Sequence, residues 1–184
     1  MNEPMSGPSG TQDGGEMGEA ASAALISDVL GGDLVYQHTP GEGPHGLDLS
    51  WLDDSGELHA GETKTVIGEN WHQPNTSFTR DGRQMDDNWV AEAMTRSGVE
   101  VYPQAVGDDP DQVHTDLFQV DYVGDTIAHY GVNHDGSRSG DSPDEIFSLS
   151  DVLDVHEATG EIADMAAGIS NSGLSDTSEV DGAQ

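Results

Sequence analysis

Apolar positions along this chain switch between helical and strand periods. Met17, Ala21, Leu25 and Val29 recur every four residues with Ala24 beside them, which predicts a helix over 16–30 stopped by Gly31 and Gly32. Glu19 lies off that stripe, on a second, partly apolar row with Ala23, Ile26 and Leu30. Residues 33–39 read as a first strand and 40–46 as a loop. Two strands follow, 46–52 and 58–66, around a turn at Asp54, Ser55 and Gly56. Alternation points Leu47, Leu49 and Trp51 one way and Asp48, Ser50 and Leu52 the other, while Ala60, Glu62, Lys64 and Val66 share a face.

A three-residue loop with Gly56 in the left-handed position pairs Asp53 with Glu57, Leu52 with Leu58 and Asp48 with Glu62. A two-residue loop would offset these pairs by one and still leave the two carboxylates close. Like charges set opposite each other are destabilising, and a cation between them reverses the sign. Residues 67–81 read as a polar loop. Met85, Trp89 and Ala93, flanked by Val90 and Met94, predict a second helix over 82–96. Further strands are expected at 99–105 and as a hairpin, 116–123 with 126–132, across Gly124 and Asp125. Residues 133–143 read as a loop and 144–155 as a short helix. The expected division is a flexible tail over 1–15, one folded domain over 16–155 and an acidic, largely disordered tail over 156–184.

Charge changes this picture more than length does. The chain has 36 acidic and 5 basic residues in 184, a formal net charge of −31, with 33% hydrophobic residues. Disorder is one reading of such a balance, but the amphipathic segments argue against it for the middle of the chain. The other reading is a halophilic surface, most simply archaeal, whose self-repulsion molar salt screens over roughly 3 Å. In such salt, net charge does not exclude a nucleic-acid partner, because short-range contacts and metal ions carry the binding. The absence of cysteine excludes disulfides and thiolate zinc sites. No apolar run approaches a membrane span, and the first fifteen residues lack the basic and apolar regions of a signal peptide. The expected place is therefore cytoplasmic as encoded, without a membrane partner, and secreted only as part of a larger delivered system.

Candidate chemistry gathers on the hairpin. Lys64 is the sole lysine, two residues after Glu62 on the same strand face. Paired carboxylates on adjacent strands suit a hard divalent cation, and a lysine beside them can position an attacking water. Glu19 reaches the same place if its helix packs over the sheet, although an acidic helix also carries such residues as solvated charge. The eight histidines show no metal-ligand spacing and read as structural or solvated, with His45 closest to Asp48. Trp89 and Met85 read as core.

The order helix with Glu, strand, strand with Asp, strand with Glu-x-Lys, helix resembles the PD-(D/E)xK, restriction-endonuclease-like nuclease superfamily. Gly46-Leu47-Asp48 stands for its Asp motif, with Leu where the motif's name has Pro, and Glu62-Thr63-Lys64 for its (D/E)xK motif. The stretch Gly82-Arg83-Gln84-Met85-Asp86-Asp87-Asn88-Trp89-Val90 is similar to the Gln-Met-x-x-x-Trp helix of nuclease domains in bacterial polymorphic toxins. The resemblance implies an α/β (α+β) fold with a mixed sheet of about four to five strands in the order α-β-β-β-α-β. It implies that Glu19, Asp48 and Glu62 hold Mg²⁺ (or Mn²⁺), that Lys64 positions the water, and that Arg83 and Gln84, opening the second helix, face the site. Arg83 and Arg80 would contact phosphate, aided by that helix's N-terminus, unless Arg83 pairs with a carboxylate such as Asp87. The implied activity is phosphodiester hydrolysis, on DNA before RNA, with an immunity protein as partner if the chain is a toxin. The alternatives are an inactive nuclease-fold binding module and a non-enzymatic halophilic interaction protein.

Overall fold

Asp53 fixes the register of the central hairpin. Its Oδ1 accepts the N–H groups of Ser55 and Glu57 at 3.0 and 2.8 Å and the Ser55 hydroxyl at 2.8 Å. Gly56 closes the turn at φ +82°, where a side chain would be strained. The computed structural model describes residues 12–39, 46–66, 76–79, 82–99 and 113–172. In chain order the elements are α1 (Gln12–Ala24) continued by a π-helical turn (Leu25–Val29), β1 (Asp33–Gln37), β2 (Leu49–Leu52), β3 (Leu58–Val66), β4 (Phe78–Thr79), β5 (Gly82–Arg83), α2 (Asp87–Arg96), β6 (Val113–Asp121), β7 (Thr126–Gly131), β8 (Glu145–Ser148) and α3 (Leu149–Ser172).

The fold is mixed α/β. Six strands form one sheet in the order β1-β2-β3-β6-β7-β8, and β4 and β5 form a small separate ribbon. β3 and β6 run parallel, with Glu62 beside Leu117 and Lys64 beside Gln119, while every other neighbouring pair is antiparallel. A parallel pair needs a crossover, and the stretch between β3 and β6 that contains α2 supplies it. The β2–β3 register, Leu52 with Leu58 through Leu49 with Gly61, is the expected one as far as Leu49. Asp48 lies just before the paired stretch and reaches β3 through its side chain, which accepts the Thr63 N–H.

Two apolar clusters lie on the two faces of the sheet. Leu25 and Ile26 from the first helix pack with Trp51, Phe118, Ile127 and Val152 of α3. On the other face Leu58 and Ala60 pack against Met85, Trp89, Ala93 and Met94. The expected stripe on the first helix is buried at its centre, at Ala21, Ala24 and Leu25, but Met17 and Val29 at its ends are 53% and 42% exposed, and Ala23 and Ile26, on the row shared with Glu19, are buried as well. The π turn, closed by Leu30 N–H on Leu25 O at 2.9 Å, shifts the face late in the helix. Leu47 lies in the α2 cluster and not beside Leu49 and Trp51, because β2 begins only at Leu49. Gly46, at φ +89°, lies so close to Trp89 that a Cβ there would sit 3.2 Å from its ring.

Other expectations are corrected. The first helix begins at Gln12, not at residue 16. The second begins at Asp87, because Gly82–Arg83 is strand and Met85 adopts φ +68°, which breaks a helix. The segment expected as one short helix from 144 to 155 splits into β8 and α3, and α3 runs on to Ser172, past the expected boundary at 156. The sheet therefore has one strand more than the upper expectation of five. Apart from Val99, the expected strand at 99–105 lies outside the described residues, as do residues 173–184 of the expected tail. Among those described, no helix is long and apolar enough to cross a membrane.

Gly18 lets α1 approach the site strand: a Cβ there would collide with Thr65 Oγ1. Gly18→Ala is therefore expected to lower stability by about 1–3 kcal/mol through overpacking, despite alanine's better helix propensity. A thermal melt in molar KCl reads this, and Thr65→Ala in the same chain should recover part of the loss. An unchanged melting temperature for Gly18→Ala would contradict the close contact.

Candidate metal and phosphodiester site

The end of the central hairpin next to α1 carries most of the expected residues. Asp48 precedes β2, and its Oδ2 accepts the Thr63 N–H at 2.7 Å, so one carboxylate oxygen is anchored to the neighbouring strand. Glu62, 5% exposed, faces the same way two residues before Lys64. Its Oε1 accepts from Lys64 Nζ at 2.6 Å and from Gln84 Nε2 at 3.0 Å. Gln84 is itself held, since its Oε1 accepts from Lys64 Nζ at 3.3 Å and from the Ser77 N–H at 3.1 Å. Glu62 Oε2 is buried without a hydrogen-bond partner among the described residues. A buried carboxylate oxygen left unpaired is costly and calls for a ligand.

Electrostatics point the same way. Burial pushes the Asp48 carboxyl up to about 8, Glu62 and Glu19 push it further in the same sense, and the Thr63 N–H and Lys64 only partly offset this. Burial also raises Glu62, against Lys64 and Gln84, with Glu19 adding to the rise. Glu19 thus lies within the field of both carboxylates. Its Oε2 meets His38 Nδ1 at 3.2 Å, and the His38 N–H donates to the Asp48 carbonyl at 2.8 Å. The sequence did not single out His38, although its position on the strand beside Asp48 was a usable signal.

Asp48, Glu62, Lys64 and Gln84 are therefore brought together, with Glu19 at their edge. Arg83 is not placed with them. Because β5 is extended, consecutive side chains diverge, and Arg83 Nε donates to Thr76 Oγ1 at 2.7 Å. The N-terminus of α2 is also not open to phosphate: Asp86 Oδ1 caps the Trp89 N–H at 2.8 Å and its Oδ2 takes the Arg83 N–H at 3.1 Å. Asp87 pairs with His134 at 3.0 Å. Arg80 and His45 lie outside the described residues.

Among the described residues no three His, Asp or Glu side chains form a ready-made metal cage. The donor chemistry nonetheless fits Mg²⁺, which takes one or two protein carboxylates, keeps waters and completes its shell with substrate phosphate. The unpaired Glu62 oxygen and the mutual repulsion of Asp48 and Glu62 are what a divalent cation would relieve.

A second titratable group was not legible as such. Asp116, on the opposite face of the sheet, is buried and accepts from His59 Nδ1 and His129 Nε2, both at 2.7 Å. Because an ionised carboxylate only accepts, these two ring nitrogens carry the protons. Trp51 stacks on His59 with ring centres 4.8 Å apart, and Phe118 on His129 at 5.1 Å. The arrangement ties β3, β6 and β7 together and has the marks of a structural clamp.

Compared with known proteins, the chain matches no family model, and no curated protein or solved structure gives a significant match.

Proposed function

We propose that this protein is a metal-dependent nuclease of the PD-(D/E)xK, restriction-endonuclease-like kind, cleaving DNA. The observation that carries this reading is the pair of carboxylates, Glu62 buried on β3 and Asp48 half-buried just before β2, with the sole lysine beside them. No structural task of the sheet requires two like charges at that depth. The succession of α1, three antiparallel strands, a crossover containing α2 and a parallel strand agrees with the core of that superfamily.

Asp48 and Glu62 would hold the cation, with Glu19 close enough to add charge. A bound Mg²⁺ supplies a water of lowered pKa and neutralises the phosphodiester. The Lys64 ammonium, which has three donors, holds Glu62 Oε1 and can orient a water at the same time. Gln84 donates to Glu62 Oε1 and so helps to fix that carboxylate. A toxin-type setting, with an immunity protein as counterpart, belongs to the same reading.

The test is plasmid cleavage by the full chain in molar KCl with Mg²⁺. Lys64→Ala should lower the rate by at least about a hundredfold, the scale of a positioned proton-transfer or water-orienting group. Its fold should persist, because Lys64 is half-exposed. Undiminished cleavage by Lys64→Ala would overturn the site assignment. No cleavage by the unaltered chain under any divalent cation would favour a binding module with the same fold.

A further inference from the structure

Arg83 leads to a second place on the molecule. With Arg138 it lines an open cleft of about 420 Å³, completed by Ser137, Ser139, Gly140 and Asp141. In a chain with five basic residues against 36 acidic ones, two guanidinium groups sharing one cleft is a departure from the rest of the surface. Both are built in. The Arg83 Nε is fixed on Thr76, whose hydroxyl donates to the Gly136 carbonyl at 2.5 Å. The Arg138 guanidinium lies 5.3 Å over the Tyr130 ring, and its Nη1 reaches the Asp141 carbonyl at 3.4 Å. The loop that carries Arg138 is pinned to β5 and α2: Asp87 N–H donates to His134 O at 3.1 Å, and Gly136, at φ +75°, sits so close that a Cβ would lie 2.5 Å from Gln84 O. Asp135 lies within the field of Arg83, but its Oδ1 already accepts the Ser137 N–H and hydroxyl.

We propose that the Arg83–Arg138 cleft is a phosphate-binding subsite that holds the DNA strand next to the Asp48–Glu62–Lys64 centre. This rests on the nuclease reading. One dipeptide links the two places: Gln84 turns to Glu62 while Arg83 turns into the cleft. Planar guanidinium forks match phosphate oxygens, and the serines and the Gly140 backbone offer further polar partners. Such short-range contacts survive molar salt, in which long-range attraction does not. Arg138 was not marked by the sequence, since 54 or more positions and an intervening strand pair separate it from every expected site residue.

Binding of a fluorescein-labelled single-stranded DNA to the full chain carrying Asp48→Asn, read by anisotropy in KCl, tests this. Adding Arg138→Gln or Arg83→Gln should weaken binding about tenfold each, with unchanged melting temperatures. Arg138→Lys should recover only part of the loss, because a point charge replaces the fork. An oligonucleotide with an uncharged methylphosphonate backbone should bind weakly and be insensitive to both substitutions, a result that a merely structural role would not give. If the Arg variants bind the charged strand within about twofold of the parent, the cleft is not a subsite and the nuclease reading stands. If the parent binds no DNA and the unaltered chain cleaves none, the subsite and the nuclease reading fall together.

Discussion

In the metal-free protein Asp48→Asn is expected to raise the melting temperature while abolishing cleavage. The folded Asp48 carboxyl is raised from 3.8 to about 8 by burial and by Glu62. A carboxyl whose folded pKa is raised favours the folded state at low pH and opposes it as pH rises between the two values. At pH 7 the folded chain must therefore hold a proton that the unfolded chain has released, a cost on the order of 4 kcal/mol. Asparagine keeps an oxygen for the Thr63 N–H and removes the titration. A gain of about 2–4 kcal/mol, roughly 5–10 °C, follows. Mg²⁺ should stabilise the unaltered chain by mass action and leave Asp48→Asn unmoved. In the unaltered chain without metal, stability should rise as pH falls from 8 towards 5. Melts in molar KCl read all of these, because salt screens surface repulsion but not buried pairs. A metal-free Asp48→Asn chain less stable than the unaltered one would contradict this account.

That same site shows what a sequence can and cannot convey. The approach of Asp48 to Glu62 was legible because the β2–β3 register follows from local turn chemistry. Asp53, Ser55 and Gly56 are consecutive or nearly so, and alternation then assigns faces. Lys64 came with it, two residues along one strand. The direction of Arg83 was not legible, since Met85, Trp89 and Ala93 have helical spacing and only the left-handed Met85 ends the helix pattern early. Burial of Met85 in the α2 cluster holds that conformation, a tertiary cause. β8 was missed for a related reason. Ile146 and Phe147 beside Leu149, Val152 and Leu153 look helical, yet pairing with β7 makes residues 145–148 an edge strand in which Ile146 is 64% exposed. His59 and Asp116 meet only because β3 and β6 run parallel, a contact across 57 positions that no local pattern encodes.

Loss of that contact should be the most destabilising single change in the molecule. Asp116→Ala would leave the buried end of the His59 and His129 pair without its counter-charge, at a cost of about 3–5 kcal/mol. The pH dependence separates this from a simple cavity. Burial would raise Asp116, but the hydrogen bonds and charges of His129 and His59 outweigh it and hold the carboxyl below 3.8. Burial opposes the charged imidazoles as well. Asp116 overrides it for both, joined by Asp53 at His59 and by Asp144 and Glu145 at His129, so both lie above 6.5. The lowered carboxyl contributes stability above about 4 that is lost as pH falls through its folded value. The raised histidines contribute stability that is complete below 6.5 and lost as pH rises through theirs. The clamp is therefore strongest between about pH 4 and 6.5. Asp116→Ala should lower the melting temperature more at pH 6 than at pH 9, because the charge pairing weakens as the imidazoles lose their protons with rising pH. An equal loss at both pH values would reduce the cluster to packing. A larger loss at pH 9 would reverse the assignment of the protons. Because His59, Asp116 and His129 lie on the face of the sheet away from Asp48 and Glu62, the metal-linked stabilisation of Asp116→Ala should persist wherever the variant remains folded.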